Sequence, residues 1–290
     1  EDGGANWRRI DVGSLPGVPD LAFVNDIKAD MYDASTAYVC LDNHKYGDYK
    51  PYFLKTTDKG RSWTSMTDGL PEKTLVWRFV QDHVKKDLMF LATEFGIYFT
   101  VNGGNDWTKL SGGVPTISFR DLAIQKREND LVGASFGRSF YVLDDYAPLR
   151  EVNQDQMEEE ATLFSIRKAW WYIPRGILSF NNSRGNQGAS HYVAPNPPFG
   201  AVFTYYLKDG LTTAASERKK AEKELAKDGK DISFPGWDAV EAERNASKPK
   251  VWFTVKDSDG NIVRKLNGPT SKGFHRISWD LKYPESDFIS

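Results

Sequence analysis

The chain has 290 residues, 40% hydrophobic and 13% aromatic, which is enough to bury a sizeable core and excludes a disordered polypeptide. A net charge of −2, with Lys and Arg scattered rather than striped, gives no electrostatic footprint for nucleic acid. Cys40 is the single cysteine, which excludes an intrachain disulfide and a Cys-based metal site, and no apolar run approaches the roughly 20 residues of a membrane-spanning helix.

The chain opens with Asp2-Gly3-Gly4-Ala5-Asn6-Trp7, a turn that leads into a strand over 7–10. Asp folds its side chain onto backbone N–H groups, Gly supplies positive φ, and Trp pins the returning strand into a core. After a Gly/Pro-rich connection at 13–19, alternation predicts strands at 24–31, 36–41, 52–57 and 62–66. A long loop, 42–50, separates the second and third, while Asp58-Lys59-Gly60-Arg61-Ser62-Trp63 repeats the opening turn between the third and fourth. Four more strands follow at 76–81, 88–93, 97–101 and 107–110. Their middle turn is Glu94-Phe95-Gly96 and their last turn is Asn102-Gly103-Gly104-Asn105-Asp106-Trp107. Strands at 119–125, 131–135 and 139–143 come next, with Phe136-Gly137-Arg138 at the middle turn. Their fourth strand is poor: Asp144 holds the turn position, but Ala147-Pro148-Leu149 replaces the Gly and Trp.

Residues 151–164 read as a polar linker and 165–290 as a second, strand-rich domain. Aromatic strands are expected at 169–172, a Gly/Asn/Ser loop at 181–188, and further strands at 201–207, 251–255, 261–266 and 275–281. Asp257-Ser258-Asp259-Gly260 marks a tight hairpin. An insertion at about 212–229, rich in Ala, Glu, Lys and Arg, predicts a charged, solvated helix with a thin stripe of Ala214, Ala221 and Leu225.

Asp2, Asp58, Asn102 and Asp144 are 56, 44 and 42 residues apart, and a period in the forties of strand-rich sequence is that of four-stranded propeller blades. The frame Asp-x-Gly-x-x-Trp resembles the Asp-box of sialidases, xyloglucanases and sortilin-like propellers. The stretches Ala92-Thr93-Glu94-Phe95-Gly96-Ile97-Tyr98 and Gly137-Arg138-Ser139-Phe140-Tyr141-Val142-Leu143-Asp144-Asp145 narrow the likeness to the bacterial sortilin-like proteins labelled BNR-repeat glycosyl hydrolases. Pro195-Asn196-Pro197-Pro198-Phe199-Gly200-Ala201 and Trp279-Asp280-Leu281-Lys282-Tyr283-Pro284 extend it over nearly the whole chain. The expected fold is mainly β: Asp-box β-propeller blades over 1–150, the linker, then a fibronectin- or Ig-like β-sandwich with its helical insertion. Three blades fall short of the typical four to eight, so further blades are expected upstream or from a partner. The resemblance implies a secreted, periplasmic or cell-surface protein.

Turn geometry and core packing explain the Asp-box residues Asp2, Gly4, Trp7, Asp58, Gly60, Trp63, Asn102, Gly104, Trp107 and Asp144. The middle turns emerge at the opposite ends of the strands, where Asp42, His44, Tyr46, Glu94 and Arg138 are expected to line one ligand face. Such a cluster offers carboxylates, an imidazole and a guanidinium to a carboxylate or to sugar hydroxyls; the alternative is a simple Glu94–Arg138 pair between adjacent blades. Glycoside hydrolysis needs two carboxyls roughly 5 to 9.5 Å apart, and spacing selects no pair among Asp42, Asp48, Glu94, Asp144 and Asp145. The two catalytic aspartates of xyloglucanases find no match. Only Arg138 and Arg120 stand for the arginine cluster of sialidases. His44, His83, His191 and His275 lack metal-ligand spacing, and neither a metal nor a cofactor is expected. Trp170, Trp171 and Tyr172 can stack on sugars or pack between domains. Three functions follow, in order: a recognition module for protein or glycan, a polysaccharide hydrolase, and a structural part of a surface assembly.

Overall fold

A computed structural model describes residues 4–173 and 194–284. Asp2, His191 and the 181–188 loop therefore lie outside the described residues. The chain divides into two compact units, Glu1–Val152 and Asn153–Ser290.

The first unit is a series of antiparallel sheets built from consecutive strands. Strands β1 (Phe23–Ala29), β2 (Ala37–Asn43), β3 (Asp48–Thr56) and β4 (Thr64–Ser65) form the first. Strands β5 (Val76–Gln81), β6 (Met89–Thr93), β7 (Gly96–Thr100) and β8 (Thr108–Lys109) form the second. The third has three strands, β9 (Phe119–Gln125), β10 (Asp130–Ser135) and β11 (Phe140–Leu143).

Period-two alternation sends Tyr38 and Cys40 to one face of the first sheet, and Val39 and Leu41 to the other. Because both faces are covered, β2 reads as a continuous apolar run. Tyr38, Cys40 and Phe53 pack with Val76, Phe79, Met89 and Leu91 of the second sheet. The Phe79 ring lies 4.5 Å from Tyr38 and 5.2 Å from Phe53, centroid to centroid. Each such ring buried contributes about 1.5–3 kcal/mol. Val80, Leu88, Phe90, Ala92 and Ile97 likewise meet Phe119, Leu122 and Leu131 of the third sheet. Here Gly133 is a packing requirement, since a Cβ would stand 2.9 Å from the Phe119 ring. Leu15, Val18 and Ala22 of the 12–22 connection cover Val39, Leu41, Tyr52 and Leu54 on the outer face of the first sheet.

Three sequence expectations change in this unit. The 42–50 loop is mostly strand, because Asn43 pairs with Asp48 and only a 3₁₀ turn, His44–Tyr46, lies between. The poor fourth strand of the third sheet is absent: the chain leaves β11 as a 3₁₀ turn, Ala147–Arg150, with Pro at its start. No strand forms over 7–10, and Trp7 is 90% exposed rather than pinned into a core.

The second unit contains α1 (Gln154–Glu158), β12 (Ala161–Leu163), β13 (Ala201–Leu207), α2 (Ala214–Lys227), α3 (Trp237–Asn245), β14 (Val251–Lys256), β15 (Ile262–Gly268) and β16 (Gly273–Trp279). Its sheets are β12-β13-β16 and the hairpin β14-β15. Phe203 and Tyr205 of β13 meet Phe253 of β14 at 5.9 and 4.9 Å. Much of the expected linker is structured, as α1 capped by Asn153 and as β12 paired with β13. The insertion at about 212–229 forms the expected helix, α2, and a second helix, α3, follows it at 237–245; Arg218 of α2 donates to both carboxylate oxygens of Glu243 on α3, each at 2.8 Å. No strand forms at 169–172; Trp170, Trp171 and Tyr172 are exposed, and Trp171 and Tyr172 lie edge-on to Phe199. No helix among the described residues is long and apolar enough to cross a membrane.

Candidate functional site

Strand direction gives the first unit two ends. One carries the β1–β2, β5–β6 and β9–β10 connections together with the Asp58 and Asn102 turns, which resemble Asp-boxes; the other carries the β2–β3, β6–β7 and β10–β11 turns.

At the first end the carboxylates hold the architecture together. Asp58 accepts from Ser62 Oγ at 2.6 Å, from the Ser62 and Arg61 amides at 2.8 Å and from Thr56 Oγ1 at 2.8 Å. These donors, the Ser62 hydroxyl foremost, hold its carboxyl far below the ordinary range. Asn102 repeats the arrangement with Thr100 Oγ1 and the Asp106 amide, at 2.8 and 3.1 Å. Gly60 and Gly104, at φ 76° and 93°, donate their amides to the Thr56 and Thr100 hydroxyls. Asp82 is fully buried, and burial alone would raise its pKa. Arg150 donates from Nε and Nη2 at 2.9 and 2.8 Å, the Tyr146 hydroxyl at 2.6 Å and the Lys85 amide at 2.7 Å, and together they bring it down to about 2. A groove of about 580 Å³ runs between the Asp-box turns, lined by short polar groups such as Thr57, Ser62, Ser65 and Asn105. It offers none of the apolar enclosure that holds a small ligand.

The other end is differently made. Asp42, buried at the end of β2, accepts from the His44 amide at 3.3 Å and faces His44 Nδ1. A carboxylate only accepts, so Nδ1 carries the proton. The His44 ring stands edge-on to Trp77, 5.7 Å between centroids. Trp77 Nε1 donates to Glu94 Oε2 at 3.0 Å, and Ser118 Oγ donates to the same oxygen at 2.9 Å. The Arg120 guanidinium lies 3.7 Å from the Trp77 centroid and 5.3 Å from that of Phe136, with Nη2 3.7 Å from Glu94 Oε2. One line of contacts, Asp42, His44, Trp77, Glu94, Arg120, Phe136, thus crosses three sheets. Tyr46, Phe95 and Phe136, one on each turn, are exposed beside it.

Backbone irregularity aims these side chains. The pairing of β1 with β2 skips Asn25, that of β5 with β6 skips Trp77, and that of β9 with β10 skips Arg120. Each is a bulge near the start of the first strand of its sheet, and a bulge turns a side chain out of the alternation.

Of the residues expected on this face, Asp42, His44 and Glu94 belong to the line. Tyr46 stacks on Phe23 instead, at 6.5 Å. Arg138 is exposed on the tip made by Gly137 and has no hydrogen bond or ion pair among the described residues. The pairing considered for it is made by Arg120, because the β9 bulge sets that guanidinium against Glu94. Asp144 and Asp145 follow β11 and belong to the Asp-box end, while Asp48 accepts from the Tyr52 hydroxyl at 2.5 Å. Trp77, Ser118 and Phe136 were not anticipated. Among the described residues no group of three or more His, Cys, Asp or Glu side chains can hold a metal ion.

The chain matches no family profile and no curated protein. Among solved structures it is similar to a GH74 xyloglucanase from Xanthomonas campestris, at 14% identity over 44% of this chain and 22% of that one, with a TM-score of 0.35. It is also similar to an ancestral GH74 enzyme, at 16% identity over 67% of this chain and 27% of that one, with a TM-score of 0.38. The chain therefore spans about a quarter of the length of each.

Proposed function

We propose that residues 1–150 are consecutive blades of an Asp-box β-propeller in a sortilin-like, extracytoplasmic protein, that 165–290 complete a β-sandwich, and that the bulged end of the blades is a glycan-recognition face. The observation that carries this reading is the pair of bulges at Trp77 and Arg120, which with Asp42 and His44 at the β2–β3 turn makes one continuous aromatic and polar line across three sheets. Exposed rings at Tyr46, Phe95 and Phe136 stack on the C–H faces of sugars, and Glu94, Arg120 and Arg138 bond their hydroxyls.

A hydrolytic reading has one observation in its favour, the presence of two carboxyls, Asp42 and Glu94, on that face. Both are already engaged, Asp42 by His44 and Glu94 by Trp77 and Ser118. Affinity electrophoresis through soluble polysaccharides, xyloglucan and other β-glucans among them, tests the proposal. Retardation of the native chain and its loss in Phe136→Ala, with melting temperature unchanged, is the expected result. If no polysaccharide retards the chain, glycan recognition is wrong, and release of reducing ends in the same samples would move the assignment to hydrolysis.

A further inference from the structure

Arg78, Arg150 and Arg218 are covered guanidiniums that spend their donors inside the protein. Arg78 donates to Asn25 O, while Arg150 sets its fork on Asp82 and Arg218 on Glu243, each through two hydrogen bonds of 2.8 or 2.9 Å. Arg120 is held differently. Its guanidinium carbon lies 3.7 Å from the Trp77 centroid, and the side chain is 42% exposed. Glu94 Oε2, at 3.7 Å from Nη2, is beyond hydrogen-bond reach and already accepts from Trp77 Nε1 and Ser118 Oγ. Among the described residues Arg120 makes no hydrogen bond. Two rings and a carboxylate therefore fix a planar fork whose five N–H donors are unspent, and that fork matches a carboxylate through two parallel bonds.

The charges on the turns of this end are satisfied in one sign only. Asp42 is taken by His44, and Asp48 by the Tyr52 hydroxyl and the Lys50 amide. The cations keep their donors. Lys45 Nζ lies 4.3 Å from the centroid of the Phe23 ring, and among the described residues it has neither a hydrogen bond nor an ion pair. Arg138, two residues beyond Phe136 on the β10–β11 turn, likewise has none.

We propose that the glycan taken by the bulged end is acidic: a uronic acid whose carboxylate seats on the Arg120 fork, with Arg138 as the second cation and the sugar ring against Phe136. A hydrogen bond between two charged groups is roughly twice as strong as a neutral one, so the carboxylate rather than a hydroxyl decides which sugar is held. The inference rests on the glycan reading of this end and adds the class of sugar to it.

Affinity electrophoresis of the 290-residue chain tests it, through polygalacturonate, alginate and glucuronoxylan, each beside its carboxyl-reduced counterpart. At least one uronate polymer is expected to bind with a dissociation constant about tenfold or more below that of its reduced form. Arg120→Gln is expected to erase that difference and Arg138→Gln to diminish it, both with an unchanged circular dichroism spectrum. Lys219→Gln, at an exposed site on α2, is expected to leave it intact. Equal retardation by charged and reduced forms overturns the inference and leaves the glycan reading standing. A preference that survives both arginine variants, or that Lys219→Gln weakens as much as they do, also overturns it, because diffuse charge would then be the cause. Tighter binding of dextran sulfate than of any uronate polymer overturns the carboxylate assignment. No retardation by any polymer, charged or neutral, sinks this inference and the glycan reading together.

Discussion

The two ends of the first unit use the same residue types for different ends. At the Asp-box end, Asp82 is fully buried and takes charged, hydroxyl and amide donors on both oxygens. At the bulged end, the Glu94 side chain is 31% exposed and spends one oxygen on Trp77 and Ser118. The contrast teaches that a carboxylate enclosed by donors is a structural tie, whereas one held from one side, beside exposed rings, keeps part of its surface open to solvent. Asp82 ties together groups 64 and 68 residues away, Tyr146 and Arg150, and so fixes the segment after β11 onto the second sheet.

The largest test of that contrast is Asp82→Ala. It leaves the Arg150 guanidinium and Tyr146 hydroxyl inside without their acceptor, and breaking such a buried pair costs about 3–5 kcal/mol, read as a fall in the denaturant midpoint. The same tie sets a pH dependence. Asp82 has a folded pKa of about 2 against an ordinary 3.8, so its stabilisation is complete above about pH 4 and is lost as pH falls towards 2. An Asp82→Asn chain should lose this part of its acid sensitivity; an acid transition identical to that of the native chain would show that the ionised form of Asp82 is not what holds Arg150.

Trp107→Ala is next in size. The indole is 7% exposed, packs edge-on to Phe53 and donates to Met66 O, so truncation removes a buried ring and a hydrogen bond between successive sheets. A loss of about 3–5 kcal/mol is expected. A loss below about 1 kcal/mol would mean that the Asp-box turn, rather than its tryptophan, locks the hairpin.

What the sequence disclosed follows the range of the interactions. The turns at Asp58 and Asn102 and most strands were legible because Asp58, Gly60 and Trp63 act within a few residues of each other and alternation is local. Ala147-Pro148-Leu149 announced a failing repeat, although the 3₁₀ turn that replaces the strand depends on Asp82, far back in the chain. At the bulged end, loop position alone brought forward Asp42, His44 and Glu94. Trp77 stayed hidden and Arg120 came forward only beside the arginine cluster of sialidases, because a bulge leaves no mark in an apolar–polar alternation and both lie in strands. Helix α3 was missed for a similar reason: its sequence is polar, and its partner Arg218 is 25 residues away.

The smallest expected change in stability is also the most informative about the bulged end. Arg120→Lys keeps a positive charge near Glu94 but removes the planar guanidinium that lies between the Trp77 and Phe136 rings. Lysine is no substitute at a stacked site, and the contact over an indole at a partly exposed position is worth about 0.5–1 kcal/mol. Stability should therefore fall by no more than that, about a fifth of the Asp82 effect. Retardation by polysaccharide should fall much further, since the stacked fork orients Trp77 and Glu94 together and a flexible ammonium does not. If binding is instead unchanged while stability falls, Arg120 serves only to brace the second sheet against the third. The bulged end would then resemble the Asp-box end in kind, with the ligand contacts left to the exposed rings and Arg138.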